Sequence, residues 1–145
     1  MNFLRIGVCL LFFQIIVLVI KPYVYPLQIL ITKIVASILN LNYQGDTIFI
    51  NNYILEVEPL CTGILMYFTL ISLFFAFSDF KKAVIYSVLF IPIVFFINLI
   101  RIILTCIFTK YFGYFGVLIH DIYWICDGII TFVLFYITKE KINAK

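Results

Sequence analysis

Three polar residues stand in otherwise apolar surroundings, and together their types suit acyl transfer through a thiol. Cys61 lies in Glu58-Pro59-Leu60-Cys61-Thr62-Gly63, where an apolar run begins. Arg101 lies inside a second run, Ile91 through Phe108, where an unpaired charge is costly. His120, the only histidine, opens a third. A thiolate attacking an amide carbonyl creates an oxyanion, which a guanidinium stabilises while keeping its own charge. An imidazole can take the thiol proton or donate one to the leaving amine. Asn98 and Thr105 share a helical face with Arg101, at spacings of three and four, so Asn98 can orient the guanidinium or donate to the same oxygen.

Each residue taken singly also has a plain structural explanation. Pro59 suits the first turn of a helix, where free N–H groups and the helix dipole would favour a Cys61 thiolate. Glu56 and Glu58 oppose it, and Gly63 permits close approach of another backbone. Cys61 alone is one of four cysteines, and Cys9, Cys106 and Cys126 read as structural. Arg101 alone can snorkel to headgroups, and His120 alone can be an interfacial polar residue. His120 shares a face with Trp124 and Asp127 and has Asp121 beside it; Asp127, two turns deeper, needs a partner of its own.

The elements that must position these residues are membrane helices. Of 145 residues, 66% are hydrophobic and 12% charged, with a mean hydropathy of +1.21. A soluble domain of this size could not hide so much apolar surface. The net charge of +3 comes from scattered basic residues, so nucleic acid is not an expected partner. No CxxC or HExxH-type pair occurs, so neither a disulfide framework nor a metal site is indicated. A zinc site built on Cys61, Cys106 and His120 is disfavoured further, because Cys106 lies roughly 140° around the helix from Arg101.

Membrane crossing requires about 20 apolar residues as helix. Leu60 to Phe77, Ala83 to Phe108 and Val117 to Ile137 meet that requirement approximately. Ile6 to Ile20 reads as an uncleaved first span, since no small-residue cleavage pattern precedes Lys21-Pro22. Leu27 to Leu41 carries Gln28, Lys33 and Ser37 and is either an interfacial amphipathic helix or a poor fifth span; the interfacial reading is favoured. Thr47 to Ile50 and Tyr53 to Val57, joined by Asn51-Asn52, read as a β-hairpin outside the lipid. The expected fold is therefore an all-α polytopic membrane protein, residues 1–145 forming one domain. It has about four spans, an interfacial helix and a small extracytoplasmic hairpin.

The basic residues orient it. With the N-terminus inside, Arg5, Lys81, Lys82, Lys139, Lys141 and Lys145 face the cytoplasm, whereas Lys21, Lys33 and Lys110 fall outside. Cys61 then lies at the outer end of one span, and Arg101, roughly 27 Å above Ala83, approaches the same level. His120 sits in the first turn of the last span. Antiparallel spans thus bring thiol, guanidinium and imidazole together.

Cys61-Thr62-Gly63, Asn98-x-x-Arg101 and His120, in this order on successive spans, resemble the exosortase/archaeosortase family of membrane transpeptidases. The resemblance covers about residues 42–137 and implies a prokaryotic plasma-membrane enzyme with its site facing outward. It implies Cys61 as nucleophile, Arg101 as oxyanion stabiliser, His120 as general acid/base and Asn98 in support, with no cofactor. The implied partners are exported proteins whose C-terminal signal combines a short motif, a hydrophobic helix and a basic tail. The acceptor would be a lipid or another amine or anchoring group, reached through a thioester. Many members of that family have more spans than this chain. Whether His120 or Arg101 activates the thiol is left open by the sequence. A small channel or transporter subunit lined by Arg101, His120 and Asp127, or a non-enzymatic membrane assembly factor, are the competing readings.

Overall fold

The computed structural model describes the backbone of residues 3–143, and the side chains within it apart from those at 3, 5, 6, 117, 121, 124 and 140–143. Asp121 and Trp124, noted beside His120, and the orienting charges of Arg5, Lys141 and Lys145 lie outside the described residues. Five α-helices and three short strands follow in the order α1 (Phe3–Ile20), α2 (Tyr25–Leu39), β1 (Asn42–Gln44), β2 (Thr47–Ile50), β3 (Tyr53–Glu56), α3 (Ile64–Phe77), α4 (Phe80–Phe112) and α5 (Tyr114–Asn143).

The helices α1 and α2 are separated by a 3₁₀ turn at Lys21–Tyr23 and bend by 71° between them. Pro22 and Pro26 explain the break: each fixes its φ and lacks the N–H that a continuous helix would use. Along α2, Gln28, Ile31, Thr32, Val35 and Ala36 are buried while Leu30, Lys33, Ser37 and Ile38 are exposed, so the helix has a buried and an exposed face. The buried face nevertheless includes the polar Gln28 and Thr32, and the exposed one the apolar Leu30 and Ile38. The amide of Gln28 donates to the carbonyl of Val57 at 2.6 Å and so ties α2 to the chain leading into Cys61.

The expected hairpin is present, with Ile50 paired to Tyr53 and Asn51 at the turn with φ 53°. It belongs to a three-stranded antiparallel sheet, because β1 adds Asn42 to Gln44 alongside β2. Ile48 and Ile50 point into a core with Ile31 and Val35 of α2 and with Leu99 and Ile102 of α4. A second core, around Leu70, Phe74, Phe90, Val94 and Phe135, joins α3, α4 and α5.

Among the described residues, two helices, α4 and α5, are long and apolar enough to cross a bilayer, and a third crossing exists if the bent α1–α2 pair counts as one broken span. The expectation of about four spans is met only in part. The shortfall is at Ile6 to Ile20, which qualifies only jointly with α2, and at Leu60 to Phe77, where the chain forms a 3₁₀ turn at Pro59–Thr62 and then Gly63 at φ 81° before α3 begins. The 14 residues of α3 rise about 21 Å, short of a hydrocarbon core of roughly 30 Å. Conversely, α4 continues about three turns beyond Arg101. There it meets the sheet: Asn51 Nδ2 donates to the Lys110 carbonyl at 3.4 Å, and Tyr53 packs on Gly113.

Gly113, at φ 59°, is the whole connection between α4 and α5. Gly116 follows directly against the Thr109 backbone, leaving no room for a Cβ, so the two helices run back closely side by side. At the other end of this hairpin, Lys139 lies 4.6 Å from the centroid of the Phe77 ring. The sheet and the basic residues at the α3–α4 connection therefore occupy opposite ends of the molecule.

Candidate active site

Cys61 is delivered by the 3₁₀ turn rather than by the first turn of a long helix. Its N–H donates to the Glu58 carbonyl at 2.8 Å, and Thr62 Oγ1 donates to the Pro59 carbonyl at 2.7 Å. The helix start expected around Cys61 is a 3₁₀ turn, since α3 begins only at Ile64, and a backbone hydrogen bond from Glu58 still favours the thiolate there. The side chain is 4% exposed.

His120 reaches the thiol from the second turn of α5. Its Nε2 lies 3.3 Å from Cys61 Sγ, within proton-transfer distance of a sulfur. Burial pushes the Cys61 thiol above its ordinary value of 9.0; the Arg101 charge opposes that rise, while Glu58 and Asp127 add to it. The net direction is upward, so a base in contact with the thiol, as His120 is, would favour its deprotonation.

Asn98, Arg101 and Thr105 form the single buried face that their spacing implied. The side-chain hydrogen bond that the structure shows for Asn98 goes to the turn of Cys61. The Asn98 Nδ2 donates to the carbonyl of Cys61 at 2.5 Å, so it fixes the backbone that carries the thiol. Gly63 makes that approach possible: a Cβ there would stand 3.1 Å from Asn98 Cβ. Gly63→Ala is expected to destabilise the fold by about 1–3 kcal/mol, because a side chain at this positive φ is strained as well as crowded. Thermal denaturation in micelles measures the cost, and loss of Cys61 function should accompany it.

Arg101 is 5% exposed and forms an ion pair with Asp127 of α5. Sequence reasoning had noted that Asp127 needs a partner but had not placed it in the site. The available signal was its spacing of seven from His120, which sets both on one face of α5. A cavity of about 140 Å³ runs from Leu60 and Gly63, on either side of Cys61, to Arg101 and Asp127, with Thr131 and Phe132 beyond. A second, of about 220 Å³, lies on the other side of the ion pair, against Leu104, Tyr123 and Cys126. A third, about 350 Å³ and almost wholly apolar, opens between Thr62, Gly63, Tyr67, Pro92 and Phe95. Of the other cysteines, Cys106 is buried in the core under the sheet, and Cys9 and Cys126 are half-buried; all are free thiols.

The structure thus brings together thiol, imidazole and the Asn98 amide by direct contact, with Arg101 in the wall of the adjoining cavity. A family model for transmembrane exosortase matches residues 1–137, a longer stretch than the one carrying the three motifs. No curated protein and no solved structure matches the chain.

Proposed function

Because the chain belongs to the transmembrane exosortase family, we propose that it is a membrane cysteine transpeptidase acting on exported proteins through Cys61. The observation that carries this reading is the 3.3 Å contact between Cys61 Sγ and His120 Nε2 in a site that also holds a buried guanidinium. In the first half-reaction, His120 accepts the thiol proton and the sulfur attacks the scissile carbonyl carbon. Arg101 stabilises the resulting oxyanion. Collapse of the tetrahedral intermediate breaks the C–N bond, His120 returns the proton to the leaving amine, and the substrate remains as a thioester. An acceptor amine or other anchoring nucleophile then attacks the thioester carbonyl and restores the Cys61 thiol.

The substrate would present a C-terminal signal with an apolar helix and a basic tail. Such a helix, lying in the bilayer beside α3 to α5, would bring the preceding extended segment to the level of Cys61. Lys81, Lys82 and Lys139 lie at the end opposite the sheet, and placing that end in the cytoplasm puts the site on the extracytoplasmic side. The acceptor would arrive from the same side, as a lipid or a free amine.

His120→Ala tests the proton relay. Its expected effect is a fall in processing of about 10²–10⁴-fold, the usual contribution of a positioned acid/base. The pH dependence should change with it. Since the folded thiol titrates above its ordinary value, alkylation of Cys61 by N-ethylmaleimide should climb steadily as pH rises from neutral through 9.0. Processing by the wild type should be active well below that range, because His120 removes the proton within the step, and His120→Ala should become dependent on alkaline pH. Unchanged processing at neutral pH in His120→Ala would contradict the relay.

A further inference from the structure

Arg101 has a long side chain and two cavities to point into. Both the cavity beside Leu60 and Gly63 and the one beside Leu104 and Tyr123 include Arg101 and Asp127 in their walls, so the ion pair forms the partition between them. Leu60 and Gly63, which flank Cys61 in the chain, line the first cavity and not the second, so an oxyanion formed by attack of Cys61 would arise nearer the first. A guanidinium that swings to the second side, or snorkels along α4, is lost to the reaction although its charge is retained.

We propose, resting on the thiol reading above, that Asp127 is a positioning residue for Arg101: its carboxylate, across the α4–α5 interface, holds the guanidinium at the cavity wall that faces Cys61 and Gly63. The anchor is itself built in. The side chains of the pair are 4% and 18% exposed. Each backbone carbonyl accepts a hydroxyl from its own helix, Thr105 Oγ1 to Arg101 at 3.0 Å and Thr131 Oγ1 to Asp127 at 2.7 Å. Because α5 also carries His120, one helix sets the base against the thiol and the guanidinium against the oxyanion site. The register fixed by Gly113 and Gly116 serves both.

The carboxylate also has an electrostatic cost that makes its role readable. Cys61 is faced by Glu58 of its own turn, Arg101 of α4, and His120 and Asp127 of α5; of the charged groups, Arg101 favours the thiolate while Glu58 and Asp127 oppose it. An isosteric, uncharged replacement should therefore ease thiolate formation yet impair turnover. A residue that merely supported packing would do neither of these in combination.

The test compares Asp127→Asn and Asp127→Glu in the full-length protein in membranes. Two readouts are needed: release of the C-terminal segment from a co-expressed exported protein bearing an apolar signal helix and basic tail, and N-ethylmaleimide alkylation of Cys61 followed by mass spectrometry across pH. Asp127→Asn should slow processing about a hundredfold, the scale of a misplaced catalytic group, while shifting the alkylation profile to lower pH. Asp127→Glu should keep most of the rate, since the cavities on either side admit one methylene. Wild-type processing by Asp127→Asn would overturn the proposal, as would equal losses in both variants with an unmoved alkylation profile. If Asp127→Asn does not accumulate, Asp127→Glu decides alone: a retained rate supports the anchor and a lost one overturns it. Cys61→Ala run in parallel separates the two levels, because normal processing there removes the thiol reading itself. An inactive Cys61→Ala beside a normal Asp127→Asn counts against Asp127 only.

Discussion

Cys61→Ala is expected to abolish processing of exported substrates while the protein still accumulates in the membrane at close to its normal level. The two halves of that expectation have separate causes. Removing the sulfur takes away the atom proposed to carry the substrate covalently, and loss of a nucleophile from an acid/base-assisted site typically costs about 10⁴–10⁶ in rate. The structural cost is small, because Cys61 contributes one heavy atom beyond Ala to the core formed with Ile48, Val57 and Leu99. About 1 kcal/mol is the scale for such a truncation. The backbone bonds that shape the turn, from Cys61 N–H to Glu58 and from Asn98 to the Cys61 carbonyl, survive the substitution. Substrate processing and membrane abundance, measured together, give the result.

Arg101→Ala should behave differently, losing both processing and stability. Its partner Asp127 would keep a carboxylate between α4 and α5 with the guanidinium gone. Breaking a buried pair by removing one member costs about 3–5 kcal/mol, and the partial exposure of Asp127 beside two cavities points to the lower end. A loss of that size is a large share of the stability of a small domain, so the expected phenotype includes reduced abundance. Replacing the whole pair separates the two effects. Arg101→Met combined with Asp127→Leu leaves no stranded charge and fills similar volume, so abundance and thermal stability should recover. Processing should not, because the oxyanion has lost its guanidinium. Recovery of processing in the double variant would remove Arg101 from the chemistry.

Much of this arrangement was legible in the residues themselves. The β-branched and aromatic strands around Asn51-Asn52 specified the hairpin, because paired asparagines tolerate the left-handed turn that such a hairpin needs. Alternating helix directions brought Cys61 and His120 to one level, and the observed contact agrees with that geometry. The strand β1 escaped notice because Asn42, Tyr43 and Gln44 are all exposed and show no alternation to read. The 3₁₀ turn at Pro59–Thr62 was concealed by the unbroken apolarity of the following stretch. Hydropathy measures length of apolar sequence, but Gly63 at positive φ ended the helix there, and only its backbone geometry says so.

The pairing of Asp127 with Arg101 lay further out of reach. Sequence spacing places residues on a face of their own helix, and it says nothing about the rotation of that helix against its neighbour. Here the rotation follows from a single-residue connection at Gly113 and the packing of Gly116 on Thr109. Asn98 illustrates the same limit from the other side. Its face was correctly inferred, yet its amide meets the Cys61 carbonyl because Gly63 lets the turn approach α4 closely. In both cases, a tertiary contact redirected a side chain that local reasoning had placed correctly.

The central claim is that Cys61 carries the substrate as a thioester. Rapid acid quenching of membranes containing the full-length protein and an exported substrate, followed by mass spectrometry of the Cys61 peptide, tests it most directly. The account predicts a substrate-derived acyl adduct on Cys61 that hydroxylamine removes, and that is absent in Cys61→Ala. Continued processing of the substrate by Cys61→Ala, with no adduct on any residue, would contradict it.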